Sequence, residues 1–186
     1  LLRRLLDPKL AGNPDGFPRR RVTGLCRVCA QSARLTFEHI PPQMSGNKTR
    51  ARAVGAFDML AAEADVDFPQ RGWTDSQRGV GGHVMCEPCN NHCGVHLVPE
   101  YGRLTADLES RLARLPRIDA GGKARVAREI GLPLRGYRLG RVARQAVAML
   151  MASSGGTALA RLYPDLTRLV LCQDISLPPD LRLGLA

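Results

Sequence analysis

Cys26-Arg27-Val28-Cys29 and Cys86-Glu87-Pro88-Cys89-Asn90-Asn91 are the two most informative stretches of this sequence. Each stretch contains two cysteines separated by two residues. This spacing allows one tight turn to present two thiolates to the same ion, and zinc takes four such ligands in a tetrahedron. The pairs therefore predict a structural Zn²⁺ site that closes the long loop between them, with the ligands Cys26, Cys29, Cys86 and Cys89.

The residues around the two pairs predict two strands and a helix. The alternating stretch 34–40, which contains Glu38-His39, is typical of a strand, and Pro41-Pro42 stops it. Residues 83–86 are typical of the returning strand of a hairpin, and the chain from Cys89 onward is typical of a helix with a break near Pro99. Because the first strand and the helix both leave the predicted zinc site, we expect Glu38, His39 and Asn90 to lie side by side.

This arrangement resembles the ββα-metal fold of the HNH endonuclease superfamily, in its subset with four zinc cysteines. The resemblance covers roughly residues 25–96. When residues 140–149 are added, the chain is also similar, more weakly, to a group of bacterial HNH-type proteins. It implies that Glu38 and Asn90 bind a catalytic divalent cation, Mg²⁺ or Mn²⁺, and that His39 is the general base. The implied activity is metal-dependent hydrolysis of phosphodiester bonds in nucleic acid, with double-stranded DNA as the expected partner.

The residue types suit this chemistry by themselves. A neutral imidazole with an ordinary pKa of ~6.5 accepts a proton from water at neutral pH. Mg²⁺ prefers oxygen ligands, and a site with two protein ligands keeps room for water and substrate. The sequence departs from the family at two points: Glu38 stands where Asp is commoner, and glycines and His83 replace the family's middle asparagine. We therefore expect the long insertion 43–82 to supply another support for His39.

The fold class predicted is α+β, a small zinc-clamped ββα (treble-clef-like) core with additional helices. Three segments are expected: a basic irregular arm at 1–24, the HNH-like domain at 25–116, and a mainly helical extension at 117–186. A leucine stripe at helical spacing predicts a core helix, formed by Leu104, Leu108, Leu112 and Leu115. A second helix over 139–152 is expected to bury one face that includes Val147 and Leu150, and to leave Arg144 and Gln145 outside it.

Net charge is +10 and the isoelectric point is about 10.1, so the surface is expected to attract polyanions. Flexible basic segments can follow a nucleic-acid backbone. The candidate contacts are in the arm and in the insertion: Arg19, Arg20, Arg21, Lys48, Arg50 and Arg52.

Paired cysteine spacing, with Cys93 and Cys172 left over, fits a reducing cytoplasm better than a disulfide framework. No apolar run is long enough to cross a membrane, so no membrane partner is expected. Because the sequence begins with Leu1 rather than Met, we expect residues to precede it. Two other functions stay open. The first is that of a non-catalytic four-cysteine zinc module that binds DNA or RNA, and the second is that of a protein-interaction scaffold in a bacterial complex.

Overall fold

The computed structural model describes residues 22–53, 74–76, 79–114, 135–154 and 156–172, with the backbone alone at 51–53 and 74–76. Most of the predicted basic arm, including Arg19, Arg20 and Arg21, lies outside the described residues. So do Leu115 and much of the predicted insertion and C-terminal extension.

Short antiparallel strands form the centre of the cysteine region. In chain order the strands are β1 (Thr23–Leu25), β2 (Ser32–His39), β3 (Ala51–Ala53), β4 (Thr74–Ser76) and β5 (Gly81–Cys86). One sheet has the order β1-β2-β5, and β3 and β4 pair separately as a ribbon within the insertion. The hairpin of β2 and β5 is as predicted, although β5 begins two residues earlier than the sequence indicated.

An irregularity in β2 changes which face of the strand is buried. The register of β2 against β5 shifts between Thr36 and Phe37. A strict alternation that begins at buried Leu35 would bury Phe37 and His39, yet the buried residue is Glu38 and Phe37 is 37% exposed. A β-bulge re-aims the side chains that follow it. The bulge therefore turns Glu38 inward and places His39 on the opposite face.

Helices make up the rest of the described chain: α1 (Glu87–His96), α2 (Val98–Leu112), α3 (Leu139–Ser153), α4 (Ala158–Leu162) and α5 (Pro164–Leu171). Proline lies in the first turn of both α1 and α2, where a missing N–H costs nothing. The break between them falls at Leu97, next to Pro99 as predicted. The α+β class is confirmed. Within the described residues, no helix is long and apolar enough to cross a membrane.

One hydrophobic core joins the cysteine region to the C-terminal helices. Buried Val28 and Met85 belong to the same cluster as Val147 and Met151 of α3 and Leu169 of α5. Hydrogen bonds cross the same boundary, among them one from the Arg27 guanidinium to the Ala152 carbonyl (2.6 Å) and one from the Thr167 hydroxyl to the Val28 carbonyl (2.6 Å). The C-terminal helices therefore pack directly on the first cysteine turn.

The expected orientation of α3 is wrong. Arg144 is 8% exposed and Gln145 is fully buried, whereas Leu150 is 56% exposed. The helix packs against α1, α2 and α5 at once, so its buried face is wider than the apolar stripe and includes polar residues.

The leucine stripe of α2 is core only at its start. Leu104 is buried, Leu108 is half-buried, and Leu112 is 52% exposed. Since α2 packs against α3 and the 3-10 turn Gln43–Ser45, the last turn of the helix extends past these contacts.

Candidate metal centre and active site

The four predicted zinc ligands come together. The Sγ atoms of Cys26, Cys29, Cys86 and Cys89 all lie within 4.8 Å of one another. The Sγ atoms of Cys29 and Cys86 are 3.8 Å apart. Zn–S bonds of ~2.3 Å in a tetrahedron place neighbouring sulfurs ~3.8 Å apart. The cluster therefore has the dimensions of a four-thiolate zinc site.

Local backbone hydrogen bonds shape the first cysteine turn. The N–H of Ala30 donates to the carbonyl of Cys26 (2.8 Å), and the N–H of Cys26 donates to the carbonyl of Gln31 (2.9 Å). Ala30 has φ 57°, in the left-handed region. The N–H of Arg27 donates to the carbonyl of Val84 in β5 (2.9 Å), which holds this turn against the strand that ends at Cys86.

The second cysteine turn is the junction of a strand and a helix. Cys86 is the last residue of β5 and the N-cap of α1, and Cys89 lies in the first turn of that helix with Pro88 before it. Both cysteines are buried. The end of a paired strand and the start of a packed helix thus fix the two sulfurs relative to each other.

The electrostatics of the cluster favour a divalent cation. A hydrogen bond from Cys89 lowers the pKa of the Cys26 thiol to about 4. Burial raises the pKa of Cys29 to about 11, and the hydrogen bond to Cys26 together with burial raises that of Cys89. The sulfurs thus resist carrying several negative charges in one small volume. A bound cation compensates those charges and lets all four ionise.

Glu38 is a buried carboxylate. Its exposed fraction is 8%, and burial raises its pKa to about 7. Within the described ranges, neither a hydrogen bond nor an ion pair reaches this carboxylate. Buried carboxylates are normally paired, hydrogen-bonded or bound to a metal. The surroundings of Glu38 therefore suit a ligand for a cation.

Asn90 fastens α1 to β2 immediately before Glu38. Its Nδ2 donates to the hydroxyl of Thr36 (2.9 Å) and to the carbonyl of Phe37 (3.2 Å). The Thr36 hydroxyl in turn donates to the carbonyl of Met85 in β5 (3.0 Å). Both Nδ2 hydrogens are engaged in this way, so the atom that remains for a cation is the amide oxygen. Asn90 is therefore bound to β2 at the residue before Glu38.

Unlike the side-by-side arrangement expected from the sequence, His39 lies on the opposite face of β2 from Glu38. Its ring meets the ring of Phe37 edge-on, with centroids 4.9 Å apart, and Phe37 meets His83 in the same way at 5.4 Å. The Nε2 of Gln43 is 3.0 Å from the Nε2 of His39. His83, near the position of the family's middle asparagine, thus contacts the ring of Phe37. A support for His39 from the insertion is present, and it is Gln43.

Asn47 closes the base of the insertion next to His39. Its Nδ2 donates to the carbonyls of Pro41 (2.6 Å) and Val80 (2.8 Å), and its Oδ1 accepts from the N–H of Val80 (2.7 Å). Neither Gln43 nor Asn47 was predicted from the sequence. Gln43 lies four residues after His39, beyond Pro41-Pro42, and this closeness in sequence was a signal that could have identified it. Asn47 has no such local signal, because its partner Val80 is 33 positions away.

The predicted nucleic-acid contacts are only partly described. Lys48 follows Asn47 directly and Arg50 is three residues after Asn47, and both are exposed. Because Asn47 is bonded to Pro41, Lys48 lies at the same end of the sheet as His39. Arg52 is in β3, where the backbone alone is described. His92, which the sequence left outside the site, lies with its Nε2 3.0 Å from the carbonyl of Val170 in α5.

In the part of the chain that the structure describes, the four cysteines form the one group of three or more His, Cys, Asp or Glu residues arranged to hold a metal. No protein-family model, curated protein or solved structure matches this chain. Its function is therefore inferred from the chemistry of the site.

Proposed function

We propose that the protein is a metal-dependent HNH-type endonuclease that hydrolyses phosphodiester bonds of DNA. One observation carries the proposal. β2 and α1 both leave the four-cysteine cluster, Asn90 of α1 donates to the carbonyl of Phe37, and the next residue of β2 is Glu38, a buried carboxylate without a hydrogen bond or ion pair in the described chain. The adjacent residue is His39, held by a polar contact and a ring contact.

Each residue has a distinct role in this proposal. The four cysteines hold a structural Zn²⁺ and fix the relative positions of β2 and α1. Glu38 and the amide oxygen of Asn90 hold Mg²⁺ or Mn²⁺, which stabilises the charge that develops on the phosphate oxygens during hydrolysis. The imidazole of His39 accepts a proton from the attacking water.

The charge distribution supports a polyanionic substrate. The chain carries a net charge of +10, Lys48 and Arg50 are exposed, and Lys48 lies at the His39 end of the sheet. Lysine and arginine bind nucleic-acid phosphates with a strong dependence on salt. We therefore expect DNA affinity to fall as salt concentration rises, and to fall less steeply after Lys48→Ala.

The deciding experiment measures plasmid nicking in Mg²⁺ or Mn²⁺ by the zinc-loaded wild-type protein and by a His39→Ala variant. We expect the variant to lose roughly 100-fold or more of the rate, because a positioned general base contributes roughly 10²- to 10⁴-fold. His96→Ala is the matched control, since His96 is a half-buried histidine of α1 outside the site. The zinc content and DNA affinity of His39→Ala must equal those of wild type. Equal nicking by the two proteins would show that His39 is not the general base.

A non-catalytic zinc module that binds DNA or RNA is the second candidate. It is favoured by the hydrogen bonds of Asn90, because fastening α1 to β2 is a sufficient structural reason for an amide at this position. This function predicts salt-dependent binding without cleavage in any divalent cation. The same plasmid assay, run beside a binding titration, separates the two functions.

A further inference from the structure

The contacts that hold the imidazole of His39 include one with Phe37 and one with Gln43. The ring packs edge-on against Phe37, with an angle of 69° between the ring planes. The side-chain amide nitrogen of Gln43 lies 3.0 Å from Nε2 of the imidazole. The first contact restricts the plane of the ring and the second restricts its rotation within that plane. Together they fix the directions in which both ring nitrogens point.

Gln43 is presented to His39 from a well-braced turn. It begins the 3-10 turn Gln43–Ser45, in which the N–H of Ser45 donates to the carbonyl of Pro42 (2.9 Å). Gly46 ends the turn with φ 83°, a conformation that favours glycine. The hydrogen bonds of Asn47 then tie the chain to Pro41 and Val80.

The turn is also packed from the side of α2. Met44 lies so close to Gly102 that a Cβ added there would be 2.8 Å from the Cβ of Met44. Only a residue without a side chain lets α2 approach the turn to this distance. Gln43 itself is exposed, so its side chain can be replaced without opening the core.

The contact has a chemical consequence because imidazole has two tautomers. An amide nitrogen only donates, so in this arrangement Nε2 accepts and the ring proton is on Nδ1; rotation of the amide by 180° reverses both roles. Only the second orientation suits a general base: the amide oxygen accepts from the Nε2–H and the lone pair is on Nδ1, whereas in the first orientation the amide N–H occupies the one lone pair of the ring, on Nε2. A general base needs its lone pair on a defined nitrogen, and a fixed tautomer supplies this.

We propose that Gln43 is the positioning residue of His39: its amide oxygen accepts from the Nε2–H of the imidazole, which selects the tautomer whose lone pair for proton transfer is on Nδ1. This inference rests on the proposed function, in which His39 is the general base.

The test compares zinc-loaded wild-type protein with Gln43→Ala and Gln43→Glu. Gln31→Ala is the matched control, because Gln31 is also exposed but lies in the first cysteine turn. The ¹⁵N shifts of the His39 ring report its tautomer, and their pH titration reports its pKa, without any substrate. In Gln43→Ala we expect mixed tautomers. In Gln43→Glu we expect the pKa of His39 to rise by about one unit, because a carboxylate in contact with an imidazolium favours the charged form.

Activity provides the second readout. We expect Gln43→Ala to lower kcat for plasmid nicking by roughly 10- to 100-fold with KM unchanged, since misplacement of a reacting group affects the chemical step. In Gln43→Glu, the pH below which the nicking rate falls should rise by as many units as the pKa of His39. An unchanged tautomer and pKa in both variants would overturn the inference while the proposed function survives. Absence of cleavage by the wild-type protein would overturn the proposed function, and with it the catalytic meaning of the contact.

Discussion

At the scale of single residues, the buried carboxyl group of Glu38 lowers the stability of the folded protein at neutral pH when no cation is bound. It is a carboxyl group in a nearly closed environment, and burial raises its pKa from an ordinary 4.5 to about 7. The folded protein therefore holds this proton more tightly than the unfolded chain does. Stability is lost as the pH rises from about 4.5 to about 7, and above that range the loss is complete.

Replacement of Glu38 by glutamine removes this loss. With zinc bound and Mg²⁺ and Mn²⁺ absent, we expect Glu38→Gln to be more stable than wild type at pH 8 by about 3 kcal/mol, at 1.36 kcal/mol per pKa unit. The advantage should vanish near pH 5. Urea unfolding at both pH values measures it, with Glu109→Gln as an exposed control on α2. Mn²⁺ should raise the stability of wild type and leave Glu38→Gln unchanged; equal stabilisation of both would show that Glu38 is not a ligand.

The two tasks assigned to Asn90 are separable by one substitution. Asn90→Asp keeps an oxygen for the cation but lacks the N–H groups that donate to Thr36 and Phe37. We expect the free energy of unfolding to fall by about 1–2 kcal/mol, the usual effect of losing such hydrogen bonds. Calorimetric titration should show that Mn²⁺ affinity is retained, whereas Asn90→Ala loses both. Asn91→Asp, at an exposed position, should change neither. Equal Mn²⁺ affinity in Asn90→Ala and wild type would show that Asn90 joins α1 to β2 but does not bind the cation.

At the scale of elements, the first cysteine turn carries a backbone strain that glycine relieves. Ala30 has φ 57°, and within the described ranges it is the one non-glycine residue with positive φ. An L-residue with a Cβ pays about 1–2 kcal/mol in this conformation. We expect Ala30→Gly to stabilise the protein by about 1 kcal/mol, as measured by thermal unfolding. The same substitution at Ala33, in strand β2, should destabilise it, because glycine weakens an extended segment. A loss of stability in Ala30→Gly would contradict this account of the turn.

The same turn is joined to the C-terminal end of α3 by Arg27. The guanidinium is 5% exposed and donates to the carbonyl of Ala152, in the last turn of α3. Burial lowers its pKa to about 10, so it stays charged at neutral pH and complements the negative end of the helix dipole. We expect Arg27→Met to lower the free energy of unfolding by about 2 kcal/mol, since hydrogen bonds from charged groups contribute about 1.5–3 kcal/mol. Arg34→Met, at an exposed position of β2, is the control.

Local patterns in the sequence predicted the elements of the site, and long-range packing decided the rest. The spacing of Cys26 with Cys29, the alternation around Glu38 and the proline at the start of α1 are all short-range signals. They predicted the hairpin that carries Glu38 and the helix that carries Asn90. The bulge at Thr36–Phe37 and the contacts of Asn47 depend on strands that are distant in sequence, so no local pattern predicts them.

At the scale of the whole molecule, the cysteine turns and the C-terminal helices share one core. The hydrogen bond from Thr167 to Val28 spans 139 positions, and buried Cys26 and Cys89 belong to the same cluster as Val147 and Leu169. An amphipathic stripe indicates that a helix buries one face but not what covers that face. For this reason the burial of Arg144 and Gln145 was not predicted. Both are buried because α3 packs against several helices at once.

A shared core makes the zinc site a stabiliser of helices that carry none of its ligands. We expect loss of one ligand in Cys29→Ser to reduce amide protection in α3 and α5 as well as in the cysteine turns, because free energy from zinc binding is free energy of folding. Hydrogen–deuterium exchange of the zinc-loaded wild type and of the variant measures this, and zinc content is determined in parallel. Cys172→Ser is the matched control, since Cys172 is an exposed cysteine outside the cluster.

The pattern of protection then distinguishes one cooperative unit from two. If the core in which Met85, Met151 and Leu169 take part is a single unit, protection in β5, α3 and α5 should fall together and by similar factors. Persistence of protection in α3 and α5 while β5 exchanges freely would mean that the helices are stable without the zinc site. In that case Arg27 and Thr167 would join two independent units, and Arg27→Met should lower the protection of α3 alone.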